Sequence, residues 1–155
     1  MKNDERISIL GRIGEKIVIN HLNNLGRHVQ ESLDHYDSEK DLLVDGKKVE
    51  VKTEQPFVLK NAFTFRENQI RKCRSVDELY FVSIPPVISP KYKWGGWLFK
   101  ADPKKFEESE RYTTKYGNKM VVIPIDQDAI TPIRKLTTEE VKELTKYAQS
   151  AYEKK

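Results

Sequence analysis

The stretch DLLVDGKKVEVKT, Asp41 to Thr53, decides how this chain is read. Asp45-Gly46 is a strong two-residue hairpin signal, because a type I′ turn needs positive φ at both central positions. With that turn, Val44 pairs with Lys47, Leu43 with Lys48, Leu42 with Val49, and Asp41 with Glu50. Side chains alternate along a strand, so Asp41, Leu43, Lys48, Glu50 and Lys52 share one face. Leu42, Val44, Val49 and Val51 line the other, which is the core side. A four-residue loop over 45–48 keeps these faces, whereas a three-residue loop sets Leu42 opposite Glu50.

Two carboxylates directly opposed across a strand pair repel. A divalent cation between Asp41 and Glu50 removes the conflict, since Mg²⁺ takes oxygen ligands and is commonly held by one or two carboxylates with water and a phosphate. Lys52 would then stand beside the ion. The alternative is a solvated hairpin face on which Lys48 and Lys52 screen the acids, because antiparallel sheets often present one charged face to water.

Asp41, eight residues, then Glu50-Val51-Lys52 resembles the D…(D/E)xK signature of the PD-(D/E)xK nuclease superfamily, which includes many restriction endonucleases, Holliday-junction resolvases and repair or phage nucleases. The resemblance covers roughly residues 8–84. The proline of the family's name has Lys40 in its place here.

Upstream, ISILGRIGEKIVINHLNNLGRHV reads as a helix and a turn into a strand. Leu10, Ile13, Ile17, His21 or Leu22, and Leu25 recur at helical spacing, and Gly26 suits the position just past the helix end. Gly11 and Gly14 would let the helix backbone approach a sheet, each at a propensity cost of about 1 kcal/mol. Glu15 matches the glutamate that the family carries on its first helix, directed toward the metal site.

Downstream, AFTFRENQIRKCRSVDELYFVSIP reads as a short strand, a helix over 66–74 and a buried strand. By resemblance, Gln69 matches a glutamine or basic residue that this helix carries near the active site. Arg66, Arg71, Lys72 and Arg74 surround it and suit phosphate contacts.

The rest of the chain adds context. A length of 155 residues predicts one domain. The net charge of +4 is mildly basic and favours a nucleic-acid partner bound through a local patch. The single cysteine, Cys73, excludes an internal disulfide and cysteine-rich zinc sites. No apolar run reaches membrane length and MKNDERISIL is not a secretory signal, so a soluble, cytoplasmic protein is expected, with no membrane partner. His21, His28 and His35 are spaced by seven across a helix, a stop and a loop, which does not make a ligand set; His35 lies in the loop before Asp41. HExxH, GxSxG and P-loop motifs are absent.

In the second half, Lys91 to Phe99 reads as strand, turn at Gly95-Gly96, strand, with Trp97 and Phe99 facing the core. Lys91, Tyr92, Lys93 and Trp94 are candidates for nucleic-acid contact, against core packing or a dimer contact for the tryptophans. RYTTKYGNKMVVIPI reads as a hairpin turning at Gly117-Asn118. Thr137 and Glu140 form a capping box that opens a terminal helix over 138–153, with Val141, Leu144 and Ala148 as its stripe.

The expected fold is α/β, a restriction-endonuclease-like core with a central mixed sheet flanked by helices near 6–25, 66–74 and 138–153. The resemblance implies an endonuclease that hydrolyses DNA to leave 5′-phosphates, with Mg²⁺ (Mn²⁺ able to substitute) held by Asp41, Glu50 and the Val51 carbonyl. Lys52 would orient or help deprotonate the attacking water, or neutralise developing charge. Glu15 would hold a metal-bound water, and Gln69 would position Lys52 or substrate. Compactness favours structure-specific or weakly sequence-specific cutting, and a homodimer like that of junction resolvases. A sequence-specific restriction or nicking enzyme is the second reading. A non-catalytic nucleic-acid-binding module on the same fold and a structural protein with a solvated hairpin are the others.

Overall fold

The computed structural model describes residues 2–31 and 42–148. In chain order its elements are helix α1 (Asn3–Asn24), strands β1 (Val29–Glu31), β2 (Leu42–Val44), β3 (Lys47–Glu54) and β4 (Ala62–Arg66), and helix α2 (Glu67–Ser75). Strands β5 (Glu78–Ser83), β6 (Trp97–Ala101), β7 (Glu110–Thr113), β8 (Lys119–Pro124) and β9 (Ile130–Lys135) follow, and helix α3 (Thr138–Tyr147) closes the described chain.

Helix α1 ends where Gly26 permits a left-handed turn, at φ 77°. The Gly26 and Arg27 N–H groups donate back to the carbonyls of Asn23 and Leu22, satisfying acceptors the helix leaves open. Leu10, Ile13, Ile17 and Leu22 are buried as the periodicity predicts, but Leu25 caps the helix and is 62% exposed, so it does not belong to the stripe.

Asp45 and Gly46 both take positive φ, 51° and 80°, and the register sets Val44 opposite Lys47, Leu43 opposite Lys48 and Leu42 opposite Val49. This is the two-residue turn, and Leu42, Val44, Val49 and Val51 are buried on one face. The predicted pairing of Asp41 with Glu50 falls on a residue outside the described ones.

Strand β3 outruns its hairpin partner. Along Val49–Glu54 it pairs in parallel with β5, which builds a mixed six-stranded sheet in the order β1-β2-β3-β5-β6-β9. Such a sheet needs cover on both faces. Helices α1 and α3 bury Leu10, Ile13, Ile17, Val18, Leu22 and Leu144 against Val49, Val51, Tyr80, Val82 and Leu98. The opposite face, with Leu79, Phe81 and Phe99, packs on Ile70 and Cys73 of α2 and on Phe63 and Phe65. Those phenylalanines belong to a separate three-stranded sheet, β4-β8-β7. Phe63 and Phe65 stand 4.9 and 5.4 Å, centroid to centroid, from Phe81, a spacing at which aromatic pairs contribute about 1 kcal/mol beyond area burial.

Three features depart from expectation. The second sheet and β9 were not foreseen; β9 carries Pro132 at the sheet's edge, where no ladder donor is required on its outer side. The segment before Gly95 is a run of turns and not a strand, its N–H groups donating from Ser89 to Pro86, Tyr92 to Ser89 and Gly95 to Tyr92. Gly95 is required there, since a Cβ would fall 2.9 Å from the Pro85 Cα. The Thr137–Glu140 capping box is present, with Leu144 buried, but α3 ends at Tyr147, short of the expected 138–153, because Ala148 takes extended backbone. Among the described residues no helix is long and apolar enough to cross a membrane.

Candidate functional site

Alternation along β3 sends Val49, Val51 and Thr53 toward α1 and turns Glu50, Lys52 and Glu54 toward α2 and β4. The expectation of a solvated face holds for Lys48, which is exposed, and fails for Glu50, whose side chain has no solvent exposure. The cause is the extension of β3 into the six-stranded sheet, where α2 covers that face.

A buried carboxylate needs compensation, because removing an ion from water costs several kcal/mol after relaxation. Two lysines supply it. The Lys52 Nζ stands 3.6 Å from Glu50 Oε1, and the Lys72 Nζ, reaching in from α2, stands 3.1 Å from Oε2. Lys52 and Lys72 keep 17% and 22% exposure, so the carboxylate lies covered beneath two lysines that reach partly to solvent.

Glu54 extends the same face by two residues. Its Oε1 accepts a hydrogen bond of 2.8 Å from the Thr64 N–H of β4. Burial pushes its carboxyl up to about 8, against that hydrogen bond and the charge of Lys52. Glu54 therefore holds a proton at neutral pH. An E-x-K-x-E alternation was visible in the sequence, but no local signal told whether its last member would be covered.

The other expected residues divide. Asp41 and His35 lie outside the described residues. Val51 points its side chain into the α1 core, 7% exposed, leaving only its backbone to serve the opposite face. Glu15 is half-buried on α1, next to Gly14, at which a Cβ would fall 1.8 Å from Thr53 Oγ1. The α1 backbone thus packs directly on the Thr53 side chain, one residue beyond Lys52. Gly11 makes no such approach among the described residues.

Gln69 uses its Oε1 to accept the Arg66 N–H at 3.1 Å, which caps the start of α2. Arg66 and Arg71 are exposed, whereas Arg74 lies 3.9 Å above the Phe106 ring. Trp94 packs edge-on against Trp97 and Phe99 and donates its Nε1–H to Asp126, and the Tyr92 hydroxyl is bonded to Asn61. For Trp94 the packing alternative is the one observed.

A second charged cluster went unforeseen. Arg27 Nη1 and Nη2 donate to the two Glu78 oxygens at 2.7 Å each, and its Nε donates to Asp45 at 2.9 Å. Arg27 holds the Glu78 and Asp45 carboxyls below their ordinary range. Burial, and then the Glu78 charge, push the Tyr80 hydroxyl up to about 12. Residues 27 and 78 lie far apart in the chain, so no spacing could have announced the pair. They border a cleft of about 1210 Å³ that neither Glu50, Lys52 nor Lys72 lines.

Among the described residues no group of three or more His, Cys, Asp or Glu side chains is placed to hold a metal ion. In donor type, Glu50 suits a hard cation, being an oxygen ligand, while the one thiol, Cys73, is sealed in the aromatic core. No protein-family model matches the chain, and no curated protein matches it.

Proposed function

We propose that this chain is a metal-dependent endodeoxyribonuclease with a restriction-endonuclease-like core, acting on DNA with structural or weak sequence preference. One observation carries the reading: a carboxylate without solvent exposure, Glu50, stands between Lys52 and Lys72 on a strand that leaves a tight hairpin. A fold gains little from such an arrangement, since buried ion pairs are weak contributors to net stability. A phosphodiester hydrolase needs it.

Asp41, Glu50 and the Val51 carbonyl would hold Mg²⁺ or Mn²⁺, which when bound supplies a water of lowered pKa and stabilises charge on the phosphate. Lys52 would orient the attacking water or help deprotonate it, and would offset negative charge as it develops. Lys72 and the exposed Arg66 and Arg71 contact flanking phosphates. Glu15, carried by α1, would hold a metal-bound water, as the resemblance implies. Gln69, by capping α2, fixes the helix that carries Lys72.

The test is incubation of supercoiled plasmid, linear duplex and a four-way junction with Mg²⁺, Mn²⁺ or EDTA, using the wild type and the Asp41→Ala and Lys52→Ala variants. Metal-dependent cutting that both substitutions abolish is expected. Absence of cutting on every substrate contradicts the reading, and tight DNA binding without cutting replaces it with a binding module.

A further inference from the structure

Strand β7 presents a physical oddity. Its four residues, Glu110 to Thr113, are all exposed, and its one strand partner is β8. Ordering backbone costs about 1–2 kcal/mol per residue, and here only partial cover of Tyr112, 40% exposed, offsets it. The hairpin continues through a turn that Gly117 closes at φ 84°. At its tip Tyr116 is 79% exposed, with the Lys115 Nζ 5.1 Å from its ring centroid.

Charge at this tip is unbalanced. The nearby acids each have a cation: Glu110 pairs with Lys60, and Glu67 and Glu108 pair with Arg111. Exposed Lys115, Lys119 and Arg66 have no ion-pair partner among the described residues. Arg66 lies across from Met120, the neighbour of Lys119, so both stand at the hairpin end of this sheet, on its two faces. Arg66 also immediately precedes α2, five residues of helix from Lys72.

We propose that the β7–β8 hairpin tip is a nucleic-acid grip, with Lys115, Lys119 and Arg66 on backbone phosphates and Tyr116 stacked on an unpaired base. It deepens the nuclease reading, on which it rests, by naming the substrate class as DNA with unpaired bases, such as branched or partly single-stranded DNA. Lysines alone would fit any polyanion. The ring beside them selects strands whose bases are accessible, because every base offers a π-face and duplex bases are already stacked.

The test measures fluorescence anisotropy of labelled duplex, single strand and four-way junction with the full chain in EDTA, which separates binding from cutting. The variants are Lys115→Glu with Lys119→Glu, Tyr116→Ala, Tyr116→Phe, and Lys142→Glu on α3 as a charge control. The double variant should weaken all three ligands about tenfold and lower the salt slope by about two, one phosphate per lysine. Tyr116→Ala should weaken single strand and junction by about tenfold and spare duplex, with Tyr116→Phe near wild type. A double variant no weaker than the Lys142→Glu control overturns the grip while leaving the nuclease reading in place. Equal losses by Tyr116→Ala on duplex and single strand overturn the stacking role. Wild-type protein that binds none of the ligands overturns both readings.

Discussion

Glu78 and Glu50 are both buried acids in the same sheet, and they are neutralised in opposite ways. Glu78 receives a guanidinium fork at 2.7 Å on each oxygen, a hydroxyl from Tyr80 at 3.2 Å and a more distant Lys100. Glu50 is faced by two ammonium groups at 3.1 and 3.6 Å, each a point charge on a flexible stem. A fork fixes direction and fills the oxygens' lone pairs, whereas lysines can withdraw toward water. The first arrangement ties the turn after α1 to the start of β5. The second leaves a carboxylate whose cations can be exchanged, as a site must allow. Burial of a charge is common to both, and coordination is what separates the clamp from the site we propose.

The comparison breaks first at the clamp. Arg27→Ala should destabilise the fold by about 2–3 kcal/mol, because Glu78 is left charged and buried with the Tyr80 hydroxyl and the more distant Lys100 in place of a guanidinium fork. Lys72→Ala should cost less, about 1 kcal/mol, since Lys52 still faces Glu50 and the shortened side chain lets water reach the carboxylate. Urea unfolding of the two variants reads the difference, and equal losses would erase the distinction.

The back of β3 gives the next largest effect. Gly14→Ala should cost about 1–2 kcal/mol, as overpacking outweighs the gain in helix propensity. Adding Thr53→Ala, which removes the atom 1.8 Å from the new methyl, should recover part of that loss in a thermal melt. Additive costs would show that the close approach of α1 to β3 is not what holds the strand in place.

A further effect is read through pH and concerns Glu54, whose carboxyl is pushed up to about 8 when folded against an ordinary 4.5. Between those values the folded protein binds the extra proton, so stability falls as pH rises and levels off above 8. The slope is at most about 1.4 kcal/mol per pH unit. Glu54→Gln should flatten this dependence, and an unchanged slope in denaturant midpoints across that range would show the carboxyl to be solvated.

Much of this architecture was legible because its signals are local. Asp45-Gly46 set the turn and hence the register, Gly26 set the end of α1, and Thr137 with Glu140 set the start of α3. The apolar run in β5 announced a strand covered on both faces. The buried state of Glu50 was not legible, because it arises from α2 and β4 folding over a face that the hairpin alone would expose. Nor was the exposure of β7, whose sequence ERYT differs little from that of a covered strand. Arg27 and Glu78 meet only through the tertiary fold. Lys72 looked like one of four solvent-facing cations on α2, and helix rotation alone sends it inward while Arg66 and Arg71 stay outside. Asp41, on which the metal reading rests most heavily, lies outside the described residues.

The most direct measurement is Glu50→Gln read two ways, by metal-dependent DNA cleavage and by thermal unfolding. Glutamine keeps the shape of the side chain and removes the charge, so the account predicts a loss of cleavage by roughly a thousandfold or more with stability changed by less than about 1 kcal/mol. A variant that still cuts DNA, or one that loses stability as heavily as Arg27→Ala, would contradict it and make Glu50 a second clamp.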